Sequence, residues 1–546
     1  MQIQKDLLML RSLMLVLIAT WCAAEGLPQP AALPDAQVFA VVVVPKPTET
    51  LRRCEQIAEL FAPGMFKPGA FAELIGKRID DPGLGKLAAG PVVVVVGPGG
   101  MAPSVALLIP SAEPDLHATA IRRLGAQVEI ADGMLVVGSK AADVALGQRL
   151  ATSYASLAEM AIDGDMRVLV APSRILTAYR PVLGGLIQVL SGQMAKQPDG
   201  QRLAAIVGLE IQALLMITDD ISAVQIDVDL ANHVVSTHTL LAAVPDSKLA
   251  AALVAPLPAT TPAPALRLGN EPGYMQCTAR FNGEALYAWM GNILRDLQKK
   301  PEGATLISDD LIAMTRDLSS VINGGIAMRM RARDGAPMCI EGAFDCQDGA
   351  KLSQFYERML SAMFGDTAIG QMYAAMGINA TLEHDVRKIG GFPVHRIHYV
   401  FAADKMPAGQ ADHMISMMRD CEYTVIPGIA LLAQHQASLD RMVQGDAGEM
   451  TTHAAKTLDQ GHDGYVDIDY LGMMKAVFAN NPVMQGQPFA AALTAMPTSE
   501  PTGLAWSAAA GRVSVDTRVP LKPFADLAAA FRHARNEPAA VGQPVF

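Results

Sequence analysis

The sequence predicts an α+β chain of two similar halves, each made of two strand-helix-hairpin-helix modules with mostly antiparallel sheets covered by helices. Three observations carry this expectation. Short Val-rich runs such as Val92–Val96 stand between segments of helical period. Turns rich in Gly and Pro join neighbouring strands. The order of elements then returns about 234 positions downstream.

In the first half, Val38–Pro45 reads as a strand followed by a helix from Thr48. Val92–Gly97, a Gly/Pro turn and Val105–Pro110 read as a hairpin, and Pro114–Leu124 as a helix. The same series recurs as strand Met275–Phe281, helix Gly283–Leu297, hairpin Ala327–Arg333 with Met338–Phe344, and a helix from Lys351. Pro103 falls on Pro337 and Leu51 on Leu286. Further along, strand Met166–Pro172 matches Gly464–Tyr470. The hairpin Val224–Leu230 with His233–Leu241 matches Leu504–Ala509 with Arg512–Val519. Helices Asp246–Leu253 and Pro523–His533 close the two halves. Because Val41–Leu51 also resembles Val168–Leu176, four modules are expected in all.

Val224, Ile226, Val228 and Leu230 alternate with Gln225, Asp227 and Asp229, which predicts one dry and one wet face. The Val92–Val96 run is apolar throughout, so its strand is expected to be central and covered on both sides. The segment Ala255–Pro272 holds five prolines and reads as a semi-rigid extended linker. The expected organisation is therefore residues 1–24 as a signal peptide, 25–254 as the first half, 255–272 as the Pro-rich linker and 273–546 as the second half.

Residues 12–21 form a short apolar core after Lys5 and Arg11, and Cys22-Ala23-Ala24 offers small residues at the cleavage positions before Glu25. The run is shorter than the roughly 20 residues a membrane helix needs. Trp21 stands where a lipoprotein signal requires a small residue, which argues against lipidation. No later stretch reads as a span, since Gly97-Pro98-Gly99-Gly100 and Glu210 interrupt the apolar candidates. An exported protein, periplasmic or extracellular, is expected. The net charge of -11 argues against nucleic acid as a partner. Cys54, Cys277, Cys339, Cys346 and Cys421 make no disulfide framework and no zinc-ribbon spacing, so free buried thiols are expected.

The opening Leu33-Pro34-Asp35-Ala36, the Val-rich strand ending at Pro45 and the duplicated hairpins together resemble a family of exported bacterial repeat proteins known only as a domain of unknown function. That resemblance implies an exported repeat architecture and supplies no site residues. The second half departs from it at Gly269-Asn270-Glu271-Pro272.

Five stretches carry residue types with potential for chemistry. The Gly97–Gly100 turn precedes another strand rather than a helix, so it reads as a hairpin turn and not a phosphate loop. Around Gly390-Gly391, a two-residue loop would set Glu383 opposite His398 and Asp385 opposite Arg396. His384 and His395 would then share the other face, and His395 and His398 would point apart. Asp459, His462, Asp463, Asp467 and Asp469 are an acidic cluster whose spacing suits a wet strand face better than a calcium loop. Ser139 stands where a strand hands over to a helix and reads as an N-cap, with Gln434 at its duplicate position. Met414, Met417 and Met418 read as adaptable core.

The sequence carries no nucleophile motif of the G-x-S-x-G, S-x-x-K or H-E-x-x-H kind. No catalytic, cofactor-binding or metal residue is assigned, and no cofactor is expected. The reading that follows is a non-enzymatic exported binding or scaffold protein of the cell envelope, with a lipid or peptide in an apolar groove as one version. The alternative is an envelope hydrolase with a metal-assisted site in the second half, around His384–His398 or Asp459–Asp469.

Overall fold

The structure is a computed structural model describing residues 27–64, 67, 69–79, 81, 90–160, 164–194, 200–254, 263–269, 271–333, 336–405, 420–445, 462–479, 488–497 and 500–536. The chain is α+β, and every strand pairing with a defined register is antiparallel. It divides into two compact units. The first holds residues 28–193, 214–247 and 512–546, and the second residues 194–213 and 248–511 together with 1–27. The closing strand and helix of the sequence thus belong to the first unit.

The first unit contains β1 (Ala40–Val44), β2 (Val92–Gly97), β3 (Ser104–Pro110), β4 (Gln127–Ala131), β5 (Met134–Gly138), β6 (Met166–Val170), β7 (Ile221–Ala231), β8 (Val234–Ala243) and β18 (Arg512–Pro520). Their pairings give the order β4-β5-β3-β2-β1-β6-β7-β8-β18. Period-two burial fixes the faces. Val41 and Val43 on β1, and Val93 and Val95 on β2, are fully buried in one core with Leu108, Val136 and Leu169. β2 is an interior strand as expected, with one face sealed and the other half-buried.

The second unit contains β9 (Met275–Phe281), β10 (Ile322–Arg333), β11 (Ala336–Cys346), β12 (Ile378–Ile389), β13 (Phe392–Phe401), β14 (Cys421–Ile426), β15 (Ile429–Ala433), β16 (Gly464–Ile468) and β17 (Thr502–Ala509). Their order is β12-β13-β14-β15-β11-β10-β9-β16-β17. From β14 to β17 this repeats the first unit's order from β4 to β7. The register repeats too. Val42 of β1 faces Val94 and Val168 on its two sides, and Thr278 of β9 faces Ala327 and Tyr465.

Helices begin where their caps dictate. Asn282 Oδ1 accepts from the Ala285 amide ahead of helix Gly283–Gln298, and Ser308 Oγ and Asp348 Oδ1 do the same for helices Asp309–Ser319 and Gly349–Phe364. Pro47 and Pro114 start their helices at a position where a missing N–H costs nothing.

Two sequence expectations are corrected, and two hairpins are added. Ala263–Leu268, inside the supposed extended linker, is a short helix with Ala265 and Leu268 buried against the second unit's core; residues 255–262 lie outside the described residues. On β7 the face expected to be wet carries a buried Gln225, whose Oε1 accepts from the Ala31 amide and whose Nε2 donates to Asp227. Finally, the hairpins β4–β5 and β14–β15 were not anticipated. The first turns on Asp132-Gly133, both at positive φ, and the second has Gly428 at φ 82°.

Candidate functional site

The first unit carries a cleft of about 630 Å³. It opens where β3 ends at Pro110, beside the Asp132-Gly133 turn and helix Tyr154–Ala158. The space exists because its walls are small: Gly90, Ala112, Gly133, Ala151, Ala155 and Ala158. Tyr154 closes one side and is fixed there by its hydroxyl, which donates to the Pro91 carbonyl at 2.7 Å. Met134 and the prolines Pro91 and Pro110 add apolar surface, while Ser111, Asp132 and Thr152 supply polar groups. A mostly apolar recess with a few polar positions is the usual form of a small-molecule site. No sequence motif marks it, since its lining comes from four separate stretches of chain.

The Gly97–Gly100 turn joins β2 to β3, so it is a hairpin connection as expected. Ser139 does not cap. Lys140 holds the N-cap position of helix Ala141–Ala151, and Asp143 reaches back instead, accepting from the Ser139 hydroxyl at 2.7 Å and from the Ser139, Lys140 and Val105 amides. Burial alone would raise the Asp143 pKa, and these donors hold it below the usual range.

The Gly390-Gly391 loop has two residues, as expected, but a bulge between Glu383 and Arg387 shifts the pairing. Glu383 therefore faces Arg396 and Thr381 faces His398. Residues 384–386 stand against His395 alone, a shift of two, and Asp385 within them has φ 52°. His384 and His395 share a face, with ring centroids 5.3 Å apart. Both outer histidines are engaged by carboxylates: His384 Nε2 lies 2.8 Å from Glu357, and His398 Nδ1 2.9 Å from Asp420.

The acidic cluster is dispersed by the fold. Asp459, like Met414, Met417 and Met418, lies outside the described residues. Asp469 accepts from the Gly472 amide at the start of helix Tyr470–Ala479. Asp463, expected on a wet face, is fully buried beside Arg280 and accepts from the Ala508 amide at 3.0 Å. Among the described residues, no group of three or more His, Cys, Asp or Glu side chains is placed to hold a metal ion. The five cysteines among the described residues are free thiols, and burial pushes Cys277 and Cys421 up to about 12, away from thiolate chemistry.

A buried ionic centre in the second unit was missed. Arg329 and Arg331 on β10 both grip Glu341 on β11, with Nε–O distances of 3.0 and 2.9 Å. Arg331, Arg333 and Arg441 also meet Glu271. Burial works against the Glu341 carboxylate, but the facing Arg329 and its other donors keep its pKa low. The first unit has the apolar pair Val96 and Val105 at the equivalent cross-strand position. The centre is a structural clamp, because every carboxylate in it is matched to guanidinium groups.

Among solved structures, two crystal forms of TP0453 match, with TM-scores of 0.22 and 0.23 and identities of 9% and 10%. The matches cover 50% and 48% of this chain, and 98% and 96% of the TP0453 chain. No family model and no curated protein matches the sequence.

Two outcomes follow from the buried charges. Glu341→Gln strands Arg329 and Arg331 and is expected to cost about 3–5 kcal/mol, read as a lower urea midpoint. Asp463 has its pKa raised to about 7 by burial. Its protonated form therefore favours the folded state, and that contribution is present below pH about 4 and lost as pH rises through about 7. Thermal unfolding of the wild type should weaken from pH 5 to pH 8, and Asp463→Asn should flatten that fall.

Proposed function

We propose that this chain is an exported binding or scaffold protein of the cell envelope, and that its first unit holds an apolar ligand in the cleft beside Tyr154. The cleft carries the reading: an open depression of about 630 Å³, lined mostly by Gly, Ala and Pro with Ser111, Asp132 and Thr152 as its polar groups, suits a hydrocarbon chain better than a charged metabolite. A second apolar feature belongs to the same unit. Val182, Leu186 and Val189 on helix Pro172–Met194 are 47%, 55% and 57% exposed and share one helical face. The apolar core after Lys5 and the small residues before Glu25 support export, as does the resemblance to exported repeat proteins. The recurring strand order supports descent of the two halves from one duplicated gene, in which backbone geometry is retained and side chains diverge. The metal-assisted hydrolase reading gains no support at His384–His398, where Glu357 and Asp420 engage the outer histidines.

The test is lipid extraction and mass spectrometry of the purified protein, with Nile red binding as a second readout. Co-purified lipid and saturable dye binding are expected. Ala155→Trp fills the cleft and should weaken dye binding at least about tenfold, or 1.4 kcal/mol. Dye binding that ignores this substitution would remove the cleft from the account.

A further inference from the structure

Ser111 stands on the cleft wall, one residue beyond the end of β3 and three before helix Pro114–Arg123. Its Oγ lies 2.6 Å from His117 Nδ1 and accepts from the Glu113 amide at 3.1 Å. A hydroxyl oxygen can accept twice, so this contact fits either tautomer; a proton on Nε2, on the side of the Asp81 carboxyl group, leaves Nδ1 to accept from the Ser111 hydroxyl. His117 is fully buried, and its Nε2 makes no hydrogen bond. The carboxylate facing that nitrogen is Asp81, itself only 4% exposed, with Oδ2 3.7 Å away. A histidine serving the core alone would be expected to satisfy both nitrogens. Here one nitrogen contacts the hydroxyl of a residue that lines the cleft, and the other faces the buried Asp81 carboxyl group.

We propose that Ser111 is an acyl-accepting nucleophile, with His117 as its base and Asp81 as a positioning residue, and that its substrates are carboxylic esters with apolar acyl groups. The proposal rests on the cleft's being a ligand site and specifies the chemistry of what it binds. As Ser111 Oγ bonds to the ester carbonyl carbon, its proton passes to His117 Nδ1. The carbon–oxygen bond to the alcohol then breaks, and the alkoxide leaves with the proton from Nδ1. Water attacks the acyl-serine, giving its proton to Nδ1. The carboxylic acid departs as that proton returns to Ser111 Oγ. Asp81 offsets the positive charge on His117 whenever the imidazole is doubly protonated. The small cleft walls leave the acyl group room.

The experiment treats the full-length chain with a fluorophosphonate probe and with p-nitrophenyl butyrate, followed by intact mass and peptide mapping, with Nile red affinity measured in parallel. One adduct on Ser111 is expected, absent in Ser111→Ala and unchanged in Ser139→Ala. His117→Gln should slow labelling by about 100-fold or more. Asp81→Asn should slow labelling while leaving Nile red affinity intact, whereas a purely structural role would lower both together. Labelling that survives Ser111→Ala, or a wild type that binds Nile red and takes no label, overturns the proposal. A wild type that binds neither probe nor dye overturns the cleft reading with it.

Discussion

Each unit depends on a central strand that must be paired along both edges. β1 carries four valines between β2 and β6, and β9 lies between β10 and β16. An interior strand has no solvent to satisfy its amides, so its neighbours must supply every hydrogen bond. That requirement fixes the register of the adjacent strands, and with it which side chains reach the core. The cleft follows from the same frame, because β3 and β5 place Pro110 and Met134 side by side at its mouth.

Against this shared frame, the side chains have gone separate ways. Where the first unit pairs Val96 with Val105, the second pairs Arg329 with Glu341. Val105 is 37% exposed, but Arg329 and Glu341 are sealed, with Glu271 and Arg441 joining the pair. Burying such charges is tolerated only where each finds its counter-ion, and removing one partner leaves the others uncompensated. The cleft with Ser111 belongs to the first unit and the ionic clamp to the second, so neither follows from the repeated backbone.

Much of the fold was legible in the sequence. Val-rich strands, capped helices and turn glycines are local signals, and the recurrence of Met275–Phe281 after Val38–Pro45 revealed the repeated order. The misses have physical reasons. Asp132-Gly133 is a two-residue hairpin signal, short enough to be masked by the apolar runs on either side. The bulge at Asp385 cannot be counted from loop length alone, so Glu383 was set opposite the wrong residue. Ala263–Leu268 looked extended because of its prolines, but burial of Ala265 and Leu268 made a helix worthwhile. Gln225 looked wet by alternation until Ala31 covered it. The candidate site was almost illegible. Ser111 and His117 are six positions apart across a strand-to-helix turn, and Asp81 follows the helix Ala70–Ile79, some 30 positions earlier. Only the fold brings them together.

Hydrogen–deuterium exchange across the whole chain tests the central constraint most directly. Amides of Val41–Val43 and of Cys277–Ala279 should be among the slowest to exchange in their respective units, protected by pairing on both edges. Slow exchange in one of these strands with rapid exchange in the other would contradict the shared architecture.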